Sequence, residues 1–452
     1  MLNSLKLSDI AARAGGRLVG QDQLVTSVST DTREALAGAL FVALVGDRFN
    51  GHAFIDQAVK QGALAVLVSE PCTVEPRIEV QNTTEAYGEI GRLSRDGFTC
   101  PVVAITGSNG KTSVKDWLAD VLSNEAKVLK TFSNLNNQIG VPKTLLSASS
   151  DDKFAIIEAG TSFPGEIERL GHAIHGDVVV LTNASGSHLQ GFGSIQGIAI
   201  EKGKLIETAK PDGVIILNLD DASYPYWESI LDGRECLTFS VENTAATLYA
   251  KSIKVSAVGS EFELVFKGAS YPMKLDRPGR HHIANAMAVA LAMVGLGYDF
   301  SDVVQRIEHP AQVPGRMEQI VTKSKALMIN DCYNASPKSV EAAIDVVALF
   351  ADQQKWVVLG ALGELGELES SIHTGLGNYA AAAGIDRLIT IGPIAELAAN
   401  GFEQHGGAGV AHRCETKSEA TELLASLNSD HVILVKGSRS AKMEDIVNAL
   451  KD

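Results

Sequence analysis

VVAITGSNGKTSVKDWLADVL, residues 102–122, runs from an apolar β-branched segment through a glycine loop into an amphipathic stretch, and its reading decides the fold. In its last part Val114, Trp117, Leu118, Val121 and Leu122 recur at i, i+3, i+4, i+7 and i+8, which lines one face of a helix. Lys115, Asp116 and Asp120 are assigned to the other, solvated face. Gly107 and Gly110 let the backbone turn its N–H groups toward a phosphate, and the helix that follows offers its positive end. Lys111 then reaches the terminal phosphates and the Thr112 hydroxyl takes a place on Mg²⁺, with Ser108, Asn109 and Ser113 completing the loop. The usual pattern G-x-x-x-x-G-K-[ST] fails at one point, because Ile105 stands where its first glycine belongs. A glycine turn capping an ordinary helix is the competing reading; the buried strand before the loop and the amphipathic helix after it favour the nucleotide.

Working outward, similar apolar runs recur at FAIIE (154–158), VVVLT (178–182), VIILN (214–218), WVVLG (356–360) and VILVK (432–436), with helical stretches between them. That alternation predicts an α/β protein with mostly parallel sheets. A length of 452 residues asks for about three domains, since single cores rarely grow past ~300 residues. Gly and Pro punctuate RDGFTCP (95–101) and HPAQVPGR (309–316), which divides the chain into 1–97, 98–311 and 312–452. GALGELG (360–366) looks like a dinucleotide fingerprint, but its glycines are spaced three and three, so no NAD site is assigned.

Composition narrows the partners. With 39 Lys and Arg against 54 Asp and Glu, the net charge of −15 repels nucleic acid and anionic lipid alike. The amino-terminal MLNSLKLSDIAARAGG lacks the layout of a signal peptide and no apolar run approaches a bilayer span, so a cytoplasmic protein without membrane insertion is expected. Cys72, Cys100, Cys236, Cys332 and Cys414 are odd in number and form no Cys-x-x-Cys, which suggests plain thiols.

The loop TGSNGKT resembles the shortened phosphate loop of the Mur ligase family, the ATP-dependent amino-acid ligases of peptidoglycan synthesis. Further matches follow in the family's order: NLNNQIGVP (134–142), IEAG (157–160), SHLQGFGS (187–194), EKGK (201–204), GRHHIANA (279–286), VPGR (313–316), DCYNASP (331–337) and KGSR (436–439). STDTR (29–33), FVALVGDRFNGH (41–52) and the absence of D-N-P-R make the chain most similar to the branch that adds D-alanyl-D-alanine to UDP-N-acetylmuramoyl-tripeptide. The resemblance implies a small amino-terminal UDP-binding domain, a central P-loop ATPase domain and a Rossmann-like carboxy-terminal domain that closes on ATP and binds the incoming dipeptide. It also implies a monomer working through an acyl phosphate. Another Mur-type ligase, or a folylpolyglutamate synthase-like ligase, which shares the phosphate loop, is the alternative.

Residue by residue, Glu158 ends the strand FAIIE, where α/β sheets collect ligands, and its carboxylate suits Mg²⁺; a solvated strand-end acid is the plainer reading. The resemblance makes His188 a metal ligand, and makes Lys202 a carbamylated lysine that holds a second Mg²⁺, although the residues alone would read as a structural histidine and a solvated helix lysine. Lys204 stands where relatives of this branch often carry Glu, which changes the charge beside that site by two units. By the same resemblance His281 and Asn285 meet adenine, Arg316 phosphate and Asp331 ribose. Asn136 and Asn137 hold the reacting substrate, unless they form an Asx turn. Ser29, Asp31, Thr32, Arg33, Asn50, Gly51 and His52 bind the uridine diphosphate end, and Asn334, Lys436, Ser438 and Arg439 the peptide end or dipeptide carboxylate.

Overall fold

The computed structural model describes residues 1–46, 49–186, 189–310 and 312–451. Three sheets dominate it. The central one has nine strands, in the order Val128–Lys130, Phe154–Glu158, Val102–Thr106, Val178–Leu181, Val214–Asn218, Cys236–Ser240, Leu248–Ser256, Gly259–Phe266, Ala269–Leu275. All neighbours are parallel except the last two pairs. Parallel strands covered on both faces read as continuous apolar runs. Accordingly Val103 and Ile105 enter the core beneath helices Lys111–Ser123 and Arg280–Gly295, while Val102 and Ala104 enter the opposite core beneath helices Glu166–Ile174 and Ile195–Glu207.

Val114, Trp117, Leu118, Val121 and Leu122 are all buried, as their spacing predicts. Lys115 corrects the reading of the other face. It is 0% exposed, because the carbonyls of Thr131 and Ser133 and the carboxylates of Asp116 and Glu158 surround its ammonium. The antiparallel strands between 248 and 275 had no counterpart in the sequence reading; their pattern alternates, with one face toward solvent, so no continuous apolar run marks them.

Before the central sheet lies a five-stranded one, ordered Arg17–Val19, Arg77–Glu79, Ala65–Val68, Ala39–Val42, Ser27–Ser29. The helix Thr83–Asp96 joins the two units. Ala86, Tyr87 and Ile90 pack into the first core, while buried Arg95 donates to Ile174 O at 2.8 Å and to Asp177 Oδ2 at 2.9 Å. The third sheet has six strands, Glu318–Val321, Leu327–Asp331, His431–Lys436, Gln354–Gly360, Arg387–Ile391 and Val410–Cys414, parallel except at its first pair. No helix is long and apolar enough to cross a membrane among the described residues.

Candidate active site

Strand order in the central sheet reverses at Val102–Thr106, whose neighbours are Phe154–Glu158 on one side and Val178–Leu181 on the other. Ligands collect at the carboxyl ends of strands at such a switch point. There the loop 107–110 leads into helix Lys111–Ser123, with Gly110 as the N-cap at φ 85°. A side chain at Gly110 would place its Cβ 2.6 Å from Asn285 Oδ1, so the loop needs glycine both for its conformation and for this close approach. Neighbouring strand ends fix the rest: Ser108 N–H donates to Asn183 O at 2.8 Å, Asn109 N–H to Asn183 Oδ1 at 2.9 Å, and Ser108 Oγ to Ser185 O at 3.0 Å. Lys111 Nζ folds back on its own loop, donating to Gly107 O at 2.6 Å and Ser108 O at 3.2 Å. Burial lowers the Lys111 pKa; Glu158 opposes that shift and Arg316 adds to it.

Glu158 is 1% exposed and forms the centre of the site. Its Oε1 accepts from Thr112 Oγ1 at 3.2 Å and Asn136 Nδ2 at 2.8 Å, and its N–H donates to Thr131 Oγ1 at 2.9 Å. Its Oε2 has no hydrogen-bond donor among the described residues, and Lys115 Nζ lies 3.8 Å away. Lys115 is a site residue that the sequence reading missed. The available signal was its place four residues after Lys111 and three before Leu118, on the helix face that turns inward. The adjacent asparagines divide. Asn136 meets Glu158, whereas Asn137 Oδ1 accepts from the N–H groups of Ile139 and Gly140, an Asx turn that leads into the helix Gly140–Leu146.

Lys202 sits on helix Ile195–Glu207 and is 2% exposed. Burial pushes its pKa well below the ordinary lysine value; the Lys111 charge adds to the shift and Glu201 opposes it. Glu201 itself accepts from the N–H groups of Gly165 and Ile167 at 2.8 and 2.7 Å. Lys204 is turned to the helix surface, paired with Glu207 at 2.8 Å. His188 lies outside the described residues.

The third unit closes the cleft from the opposite side. Arg316 Nη2 donates to Thr112 Oγ1 at 3.4 Å, and its guanidinium lies 4.4 Å from the centroid of the Tyr333 ring. Ser336 Oγ donates to Asn109 Oδ1 at 2.7 Å. On the helix Arg280–Gly295 the rings of His281 and His282 lie 4.1 Å apart, and buried Asn285 faces the loop. Burial lowers the pKa of His281 to about 4 and puts that of His282 well below its ordinary value.

Lys436 is 1% exposed and points inward, paired with Asp331 and donating to Asn334 O at 3.3 Å; Asp331 Oδ1 accepts from Met317 N–H at 3.1 Å. Asn334 and Arg439 are exposed, Arg439 pairing with Glu444, and Ser438 Oγ donates to Ala361 O.

In the first unit Asp31 and Arg33 form a bidentate pair that lowers the Asp31 pKa to about 2, and Ser29 Oγ donates to Glu34 Oε2 at 2.6 Å. Thr32 lies between them, partly exposed. Asn50 Oδ1 accepts from both His52 N–H and Nδ1, and His52 Nε2 accepts from Ser69 N–H at 3.0 Å, which sets the tautomer with the proton on Nδ1. Gly51 lies so close to Ala43 and Leu44 that a Cβ would meet their backbone at 2.8 Å.

For a magnesium ion the donor set is oxygen, the Thr112 hydroxyl and the Glu158 carboxylate that it meets, which suits a hard cation. No group of three or more His, Cys, Asp and Glu that could hold a metal occurs among the described residues, so such an ion would complete its shell from nucleotide phosphates and water.

The Mur ligase middle domain matches residues 105–293, the Mur ligase glutamate ligase domain 315–439, and the Mur ligase family catalytic domain 24–95. The chain is 37% identical to the UDP-N-acetylmuramoyl-tripeptide–D-alanyl-D-alanine ligase of Escherichia coli (strain K12) over 452 residues, 99% of each chain. It superposes on a crystal structure of MurF from Acinetobacter baumannii with a TM-score of 0.90 at 29% identity, covering 99% of this chain and 98% of that one. MurF ligase from Thermotoga maritima in complex with ADP gives 0.84 at 26% identity, covering 94% and 96%.

Proposed function

The chain belongs to the Mur ligase family, and we infer that it joins D-alanyl-D-alanine to UDP-N-acetylmuramoyl-tripeptide with ATP, in peptidoglycan precursor synthesis. One observation carries the chemistry: Thr112 of the phosphate loop and the buried carboxylate of Glu158 meet at the sheet's switch point, facing Arg316 of the third unit. Amide formation from a carboxylate needs an activated acyl group. The γ-phosphoryl group passes to the tripeptide's terminal carboxylate and ADP leaves. The dipeptide amine then attacks the acyl carbon, the bond to the phosphate oxygen breaks, phosphate departs and the amine gives up a proton.

In this reading residues 107–113 cradle the phosphates, and Lys111 exchanges its loop carbonyls for phosphate oxygens. Thr112 and Glu158 would hold Mg²⁺, which when bound offsets the repulsion between triphosphate and carboxylate. Arg316 steadies the phosphates from across the cleft, Asn285 and His281 take adenine, and Asp331 takes ribose. Asn136, placed beside Glu158, reaches for the reacting substrate with Asn137 capping its loop. The UDP end belongs to Ser29, Asp31, Thr32, Arg33, Asn50, Gly51 and His52. Asn334, Ser438 and Arg439 meet the dipeptide, with Lys436 acting from beneath through Asp331 and Asn334.

Support for carbamylation of Lys202 comes from its burial and lowered pKa, since only the neutral amine adds CO₂ and the resulting anion would offset the Lys111 charge. The carbamate would hold a second Mg²⁺ together with His188. We assign the three functional units to 1–97, 98–311 and 312–452, and the enzyme to the cytoplasm as a monomer.

The test is direct. The pure protein, ATP, Mg²⁺ and D-alanyl-D-alanine are incubated with UDP-muramoyl tripeptides ending in diaminopimelate or lysine, and the products are weighed. Phosphate release that requires both peptide substrates, with a product heavier by one dipeptide less water, is expected. Phosphate release independent of the dipeptide overturns the assignment.

A further inference from the structure

Lys115 is a cation at 0% exposure beside the phosphate loop, and a buried ammonium is stable only where partners replace its water. Its Nζ donates to Thr131 O and Ser133 O, each at 3.1 Å, and lies 3.5 Å from Asp116 Oδ2 and 3.8 Å from Glu158 Oε2. These partners are linked to one another. Thr131 Oγ1 accepts the Glu158 N–H; Ser133, at φ 50°, starts the turn that carries Asn136; and Asn136 donates to Glu158 Oε1. Thr112 occupies the same oxygen. The contacts therefore form a ring around one carboxylate, in which Lys115 is the cation within 4 Å of Oε2 among the described residues.

We propose that Lys115 is a positioning residue of the ligation: from the buried side it holds Glu158 and the Asn136 turn in the orientation that faces Thr112 and the phosphate loop. The proposal rests on the magnesium-binding reading of Glu158. Without the ammonium, Oε2 would be a buried acceptor that has lost its nearest counter-charge, with Lys111 left as the remaining cation that acts on Glu158, and two carbonyls would lose their donor. The carboxylate and the Asn136 turn would then be free to reorient away from Thr112, and Mg²⁺ binding would have to reorder them.

Nucleotide binding tests this without any peptide substrate. In Lys115→Met, the Mg²⁺ concentration for half-maximal binding of a fluorescent ADP analogue should rise about tenfold, and turnover should fall about 100-fold, while affinity for the UDP ligand holds. In a Glu158→Gln background the same change should add no more than about twofold, because the effect runs through that carboxylate. Should Lys115→Met not fold, Lys115→Gln, which keeps donors for the carbonyls but lacks the charge, takes its place. An unchanged Mg²⁺ dependence in a folded variant, full additivity with Glu158→Gln, or failure of both variants to fold overturns the proposal and leaves a structural strut. Wild-type protein that binds Mg²⁺ and ADP but does not ligate the dipeptide would refute the functional reading and leave the Lys115 result standing.

Discussion

Lys202 and His281 show how burial sets the chemistry of single residues. The Lys202 amine is buried near the Lys111 charge, which favours the neutral form that can accept CO₂. Lys202→Ala should lower turnover by about 100-fold or more, and formate or acetate should restore part of it by filling the space of the missing anion. Lys202→Arg should stay inactive, because it keeps a positive charge. The measurement is turnover with and without added acid across a Mg²⁺ series; near-normal activity of the Ala variant without acid would refute the carbamate. For His281 the consequence is in stability. Its pKa falls from 6.5 to about 4 on folding because burial disfavours the cation. Between those values only the unfolded chain takes up the proton, so stability is full above about pH 6.5 and declines as the pH falls toward 4, by ~2 kcal/mol after allowing for partial exposure. His281→Phe should flatten the dependence of urea unfolding on pH between 4.5 and 7, and an unaltered slope would contradict this account.

At the scale of elements, the junction of loop and helix at Gly110 concentrates the constraints. Its φ of 85° is a conformation that costs an L-residue about 1 kcal/mol, and a Cβ there would press on Asn285 Oδ1 at 2.6 Å. Asn285 sits on the opposing helix Arg280–Gly295, so one methyl group would move two elements apart at the nucleotide site. Gly110→Ala should therefore lower the melting temperature by a few degrees and raise the KM for ATP about tenfold. Calorimetry and steady-state kinetics read the two effects separately; a stability loss with unchanged KM would mean that the loop does not meet the nucleotide.

At the scale of the whole molecule, the units are tied at sites that chemistry uses. Lys143 Nζ meets Glu34 Oε1 at 2.8 Å between the first and second, and Arg316 and Ser336 reach Thr112 and Asn109 between the second and third. The Lys143–Glu34 pair is nearly half exposed on both sides, so its worth is below about 1 kcal/mol and other contacts must hold the units together, buried Arg95 among them. A division of labour follows. His52 bridges Asn50 to the backbone of Ser69 and Glu70, far from the phosphate loop in sequence and in a different sheet unit. His52→Ala should weaken the UDP substrate about tenfold and leave ATP binding unchanged. The reverse pattern in titrations of the two ligands would show that the units are assigned the wrong way round.

Much of this molecule is legible in the linear chain because its information is local. The strands Val102–Thr106, Phe154–Glu158 and Val214–Asn218 coincide with their apolar runs, and the others differ from theirs by one or two residues at an end. A parallel strand buried on both faces leaves a continuous run, and a phosphate loop compresses its chemistry into consecutive residues. Side chains whose environment comes from distant segments are another matter. Lys115 reads as a solvated charge until the strand ends at Thr131 and Glu158 are brought beside it. Asn136 and Asn137 cannot be told apart until one meets Glu158 and the other closes an Asx turn. Lys436 faces inward only because Asp331 lies on the neighbouring strand, with the two residues paired in register. By itself the sequence determined the buried parallel strands that apolar runs mark, the phosphate loop with its helix, and the family. The tertiary structure decided which charges are buried and what they face, because burial depends on neighbours from other parts of the chain.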